Sequence, residues 1–137
     1  MIVAIDPGTE KTGIALLKTT GLLVSKEIIM TLNIATVLEG LYGTHEFNTI
    51  VIGNGTNHRK VYDAVRVWIG NRSTITVVLV DEKFTTVEGR TRYWQYNPPQ
   101  GWKKIIPLSF RYPPVPVDDF VAWIIGERYI KAINAHT

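Results

Sequence analysis

The sequence predicts an α/β protein built on a mixed sheet, with three antiparallel N-terminal strands, then parallel strands, and helices on both faces. Three observations carry that expectation. Three strand-like runs follow one another across short turns up to Met30. From Asn33 onward, helix-period stripes alternate with short apolar runs. Several of these runs end in carboxylates, which places the functional edge at the carboxyl ends of the strands.

The first stretch, MIVAIDPGTEKTGIALL, organises the rest. Ile2 to Ile5 is apolar without alternation, as in a strand buried on both faces. It runs into Asp6, and Pro7-Gly8 turns the chain into a second apolar run, Gly13 to Leu17. Leu22 to Met30 reads as a third strand. Asn33 is placed to cap a helix carrying Ala35, Val37, Leu38 and Leu41 on one stripe, with Gly43 as its stop. Thr49 to Ile52 is a short buried strand, followed by the turn Gly53-Asn54-Gly55-Thr56. Val61, Tyr62, Val65, Trp68 and Ile69 mark a second helix that stops at Gly70-Asn71. Thr74 to Val80 is the most β-prone run and ends at Asp81-Glu82. Thr85 and Glu88 form a capping-box pattern for a short third helix, stopped by Asn97-Pro98-Pro99. Residues 97–117 read as a loop holding six of the seven prolines. A last helix runs from Asp118 to about Ala132.

At 137 residues the chain is expected to be a single domain, residues 1–137, with a core of useful size. No apolar run approaches a membrane span, and the N-terminus lacks the features of a secretion signal. The absence of cysteine excludes a disulfide scaffold and thiolate-bound zinc, and a cytoplasmic protein without membrane contact is expected. There is no Walker A motif and no G-x-G-x-x-G. His45, His58 and His136 show no metal-ligand spacing and read as surface residues. The net charge of +3 is uneven: residues 83–117 hold six basic residues and one acid, which leaves −2 for the remainder.

The chemistry lies in the acids. Asp6 ends the first strand, Asp81 and Glu82 end a late strand, and Asp118 and Asp119 open the last helix. Each has a structural reading alone. Asp6 can accept N–H groups of the following turn, Asp81-Glu82 can be a solvated strand end, and Asp118-Asp119 suits a helix dipole. Together, carboxylates from three segments at one sheet edge would repel one another unless a divalent cation neutralised them. Oxygen ligands of this kind suit Mg²⁺ or Mn²⁺, and two such ions serve phosphodiester hydrolysis.

MIVAIDPGTEKTGIALL, VVLVDEKFTTVEGR and VDDFVAWIIGERYI, in that order, resemble the YqgF (RuvX) family, which is related to the RuvC Holliday-junction resolvases. The resemblance spans nearly the whole chain. It implies a ribonuclease H-like fold and metal-dependent cleavage of nucleic acid, with maturation of the 5′ end of pre-16S rRNA or Holliday junction resolution as the activity. It implies Asp6, Glu82 and Asp118 as catalytic metal ligands, with Asp119 and Asp81 as additional acids. Lys11 sits where the family often has Arg or Lys, and Thr85, Thr86 and Arg90 match the motif at the helix start. Two stretches depart from the family pattern. The loop from Gly53 to Arg59 is compressed and lacks its proline, and residues 93–116 are longer and richer in proline and aromatics.

Seven aromatics (Phe84, Tyr93, Trp94, Tyr96, Trp102, Phe110 and Tyr112) interleave with the basic residues of 83–117. Such a segment can stack unpaired bases while cations meet phosphates. Lys11, Lys83, Arg90, Arg92, Trp102, Lys103, Lys104 and Arg111 are therefore the expected nucleic-acid contacts, and about half of the aromatics are expected to pack internally instead. The resemblance implies an RNA precursor or branched DNA as the partner, and a monomer or weak homodimer. The alternative is a catalytically inactive nucleic-acid-binding protein on the same fold. An actin-like or sugar-kinase ATPase, whose phosphate loop shares Asp-x-Gly-Thr, would need a second lobe that 137 residues do not supply.

Overall fold

The computed structural model describes residues 1–55, 58–72, 74–83, 85–98 and 113–135. Its strands are β1 (Ile2–Asp6), β2 (Lys11–Leu17), β3 (Leu23–Met30), β4 (Thr49–Gly53) and β5 (Thr76–Val80). The helices are α1 (Ile34–His45), α2 (His58–Ile69), α3 (Thr85–Tyr96) and α4 (Asp118–Asn134). The strands form one sheet in the order β3-β2-β1-β4-β5. β1–β2 and β2–β3 are antiparallel, whereas β1–β4 and β4–β5 are parallel. The expected mixed sheet, antiparallel first and parallel later, is the one observed.

β1 lies at the centre, so both of its faces are covered. Val3 and Ile5 face one core with Ile14, Leu16, Ile50 and Ile52, closed by Ile34 and Leu38 of α1 and Val61, Val65 and Ile69 of α2. Ile2 and Ala4 face the other core with Ala15, Leu17 and Val51, closed by Phe120, Val121, Ile125 and Ile130 of α4. Val3, Ala4 and Ile5 are wholly buried, which explains why this strand shows no polar alternation. Each buried Val or Ile side chain contributes on the order of 1.5–3 kcal/mol to the core. A charge at Val3 or Ile5 would break it.

Helix ends depart from expectation in four places. Gly43 does not stop α1. The helix runs to His45 and closes on Glu46 in the left-handed conformation (φ 41°, ψ 53°), whose N–H donates to the Tyr42 carbonyl at 3.0 Å. Asn33 precedes α1 without a side-chain cap. The Thr85–Glu88 capping box is not formed either. The Thr85 hydroxyl donates to the Glu82 carbonyl at 2.6 Å, and Glu88 accepts from Arg128 of α4 at 2.9 Å. A tertiary cation has drawn the glutamate away from the helix end. α4 extends to Asn134, slightly beyond the expected stop. Pro113 to Val117 lead into it, and most of the expected 97–117 loop lies outside the described residues.

Candidate active site

Three elements deliver the acids to one end of the sheet. Asp6 is the last residue of β1 and pairs in register with Gly13 of β2. The side chain of Asp6 follows Ile2 and Ala4 onto the α4 face, because side chains alternate along a strand. Gly13 is the point of closest approach to α4: a Cβ there would collide with the backbone carbonyl of Asp118. Only glycine lets the start of α4, and hence Asp118, come down onto the strand pair that carries Asp6.

Glu82 arrives from the end of β5. That end is tied down by three contacts. Asn54 N–H donates to the Val80 carbonyl at 3.0 Å, Glu82 N–H donates to Asn54 Oδ1 at 3.4 Å, and Arg128 Nη1 donates to the Asp81 carbonyl at 3.0 Å. The Glu82 carboxylate sits over Gly53 and Gly55, where a Cβ on either would occupy its place. Its Oε2 is buried and has no hydrogen-bond partner among the described residues. An orphaned carboxylate oxygen in a glycine cradle is the kind of donor that a bound cation satisfies.

The electrostatics agree with convergence. Burial, then repulsion from Asp118 and from Glu82, pushes the Asp6 carboxyl from its ordinary value of 3.8 up to about 8. Asp118 is raised by burial and by Asp119, against a lowering influence from Lys11. Glu82 is raised by burial, lowered by His58 and raised by Asp81. Asp6 is the most buried of the three and carries the largest shift. As they stand, no three acidic or imidazole side chains among the described residues are grouped tightly enough to hold one ion.

The other expected site residues divide. Asp119 is held by Lys26 Nζ at 2.6 Å, its Oδ1 accepts the Phe120 N–H at 3.0 Å, and Lys26 lies over the Phe120 ring. Asp81 Oδ1 accepts the Lys83 N–H at 3.0 Å in a local turn. Lys11 is exposed and close enough to influence Asp118. Arg90 and Thr86 line a cleft of about 430 Å³ with Pro113, Pro114 and Asp118. Lys83 is exposed beside Glu82. Arg92 is placed differently from the expectation: it pairs with Glu127 at 2.7 Å and stacks over Trp123, so it serves α3–α4 packing. Tyr93 and Tyr96 likewise make edge-on ring contacts with Phe120 and Trp123, although Tyr96 keeps an exposed face. Phe84, Trp102, Lys103, Lys104, Phe110, Arg111, Tyr112 and His136 lie outside the described residues.

His58, which the sequence reads as a surface residue at a solvated helix start, is half-buried. Its Nδ1 is 2.6 Å from the Gly55 carbonyl at the start of α2, and its position favours a charged Glu82. The sequence signal was present in the short Gly-rich turn after β4, which places a helix N-terminus beside the neighbouring strand end.

A ribonuclease H-like sheet with carboxylates at the ends of β1 and β5 and at the start of α4 defines the class to which RuvC-type resolvases belong. The solved structures agree in fold. RuvC from T. thermophilus in complex with a Holliday junction substrate matches with a TM-score of 0.59 at 12% identity, over 98% of this chain and 94% of that one. Fowlpox virus resolvase, solved with substrate Holliday junction DNA, matches with a TM-score of 0.59 at 9% identity, over 96% and 99%. No family model matches. A protein of Blochmanniella floridana described as "Putative pre-16S rRNA nuclease" is 30% identical over 142 residues, covering 96% of this chain and 94% of that protein. The chain therefore belongs to the YqgF (RuvX) family of pre-16S rRNA nucleases. Among the described residues, no helix is long and apolar enough to cross a membrane.

Proposed function

We propose that this protein is a metal-dependent nuclease that hydrolyses phosphodiester bonds in structured nucleic acid, with Asp6, Glu82 and Asp118 as ligands of two divalent cations. The carrying observation is the Asp6 carboxyl, raised to about 8 by burial and by the other two acids. Such a group is protonated at neutral pH and becomes a charged ligand only when a cation competes with the proton. The orphaned Glu82 oxygen and its glycine cradle support the fit. Mg²⁺ or Mn²⁺ suits an all-oxygen donor set and, when bound, supplies Lewis acidity and charge neutralisation for the hydrolysis. The chain's own contribution is to hold the three carboxylates at one open edge. Lys11 and Lys83 offer cations to the flanking phosphates, as does Arg90 in the cleft beside Asp118.

The family relationship favours a ribosomal RNA precursor as the substrate, and the fold neighbours make a Holliday junction the second one to test. Lys103, Lys104, Arg111 and Trp102 are proposed as backbone and stacking contacts on composition alone. The protein is proposed to act in the cytoplasm as a monomer or weak homodimer. The test is incubation with a pre-16S fragment, single-stranded RNA and branched DNA in Mg²⁺ or Mn²⁺, beside Asp6→Asn. Cleavage by the wild type and loss in the variant is the expected result. Equal cleavage by both would refute the assignment.

A second reading has one observation in its favour. The acids as they stand are not grouped tightly enough to share an ion, as in a nucleic-acid-binding protein without turnover. Tight binding of the same substrates with no cleavage at any metal concentration would select it.

A further inference from the structure

Beneath the turn that follows Asp6, two threonines close a ring of hydrogen bonds on a single glycine. Thr31 Oγ1 donates to the Gly8 carbonyl at 2.9 Å. Thr12 Oγ1 and Thr31 Oγ1 are 2.8 Å apart. Gly8 N–H donates to Thr12 Oγ1 at 3.3 Å. A hydroxyl has one proton, which fixes the direction. Thr31 spends its proton on the carbonyl, so it must accept from Thr12, and Thr12 in turn accepts from the Gly8 amide. Both backbone groups of Gly8 are thereby satisfied. Thr12 is 0% and Thr31 7% exposed, so water does not complete the ring in their place. The Thr31 N–H also donates to the Glu10 carbonyl at 2.8 Å, which fastens the far side of the same turn. The turn packs so closely on the Lys11 carbonyl that a Cβ on Gly8 would collide with it.

We infer that Thr12 and Thr31 are positioning residues for the Asp6 carboxylate: their hydroxyl ring holds the Asp6-Pro7-Gly8 turn in place against Asp118 and Glu82. This rests on the reading of Asp6 as a metal ligand. Three acids at one edge push one another apart, and Asp6 sits at a strand end beside a turn, where the backbone yields most readily. Pro7 fixes one dihedral angle of that turn, and the ring fixes the next residue. Thr31 lies outside every motif of the chain, in a 3-10 turn (Thr31–Asn33) after β3, and its side chain joins the turn through this ring.

The test is Mn²⁺ binding by calorimetry on the initially metal-free full chain, with urea unfolding of the same samples. Thr31→Val and Thr12→Val keep the shape and remove the hydroxyl. Each is expected to weaken Mn²⁺ binding by roughly 10–100-fold, as loss of an orienting partner does. Thr31→Ser restores the hydroxyl and is expected within about threefold of wild type on that scale. The double Val variant is expected to match a single one, because the ring acts as a unit. Wild-type affinity in a folded Thr31→Val protein overturns the inference, as does a Ser variant as weak as the Val variant. Failure of both Val variants to fold, with the Ser variant intact, also overturns it by making the ring a requirement of the fold. Asp6→Asn in the same series separates the two claims. Undiminished Mn²⁺ binding there removes the ligand reading itself, whereas lost binding there with intact threonine variants removes only the positioning role.

Discussion

Asp6→Asn should make the metal-free protein more stable at alkaline pH, although it abolishes the proposed activity. The Asp6 carboxyl moves from 3.8 to about 8 on folding. Below 3.8 both states hold the proton and the carboxyl costs the fold nothing. Between the two values the unfolded chain releases a proton that the folded chain keeps, so stability falls as pH rises and levels off above about 8. At about 1.4 kcal/mol per pH unit, that interval sets a ceiling of roughly 5–6 kcal/mol. Sharing of the proton with Asp118 and Glu82, and relaxation of the open edge, reduce it, so at least about 2 kcal/mol is expected. The neutral amide carries none of this dependence. The assay is urea unfolding in EDTA from pH 4 to 9, read as variant minus wild type so that titrating groups remote from the site cancel. The difference should grow in favour of the variant across that range. Addition of Mn²⁺ should then raise the wild type by about 2.7 kcal/mol at a hundredfold excess over Kd and leave the variant unmoved. A difference that stays flat with pH, or that grows in favour of the wild type, would refute the convergence of the three acids.

Three further substitutions separate the frame from the ligands. Gly13→Ala places a methyl group against the Asp118 backbone carbonyl, which cannot swing aside. A stability loss of roughly 1–3 kcal/mol, with loss of cleavage, is expected from the urea midpoint and a nuclease assay. Gly55→Ala meets only the free end of Glu82, which can rotate away. Stability should change by less than about 1 kcal/mol while calorimetric metal affinity falls tenfold or more. Lys26→Met strips Asp119 of its partner at 2.6 Å, so roughly 1–3 kcal/mol of stability is lost in urea while kcat is retained.

The opening strand was readable because a central strand buried on both faces must be apolar throughout, and Ile2 to Ile5 are. The α2 stripe was readable for the same kind of reason: Val61, Val65 and Ile69 repeat at the helical period and are the residues buried. Carboxylates at the ends of such elements are visible in a sequence, and their arrival at one sheet edge follows from the topology. What the pattern does not show is which partner wins. Thr85 and Glu88 have the spacing of a capping box, but Arg128, forty residues on, offers Glu88 a charge-assisted bond. Arg92 belongs by composition to a basic stripe, but Trp123 and Glu127 turn it inward. Thr12 and Thr31 look like ordinary strand-edge threonines, and only their approach across the first turn gives them a shared task.

The frame around the acids is mostly backbone. Gly8 is held through its own amide and carbonyl, Gly13 packs on a peptide carbonyl, and the end of β5 is clasped through the Val80 and Asp81 carbonyls. Two nearby cations stand outside that frame. Lys11 is exposed, and Lys26 is spent on Asp119. A site held together by lysines would relax when a metal displaced them. One held by peptide groups keeps its carboxylates where they repel, and leaves that repulsion for an incoming cation to relieve. Metal affinity in this protein should therefore respond more to the glycines and threonines beneath the acids than to the charges beside them.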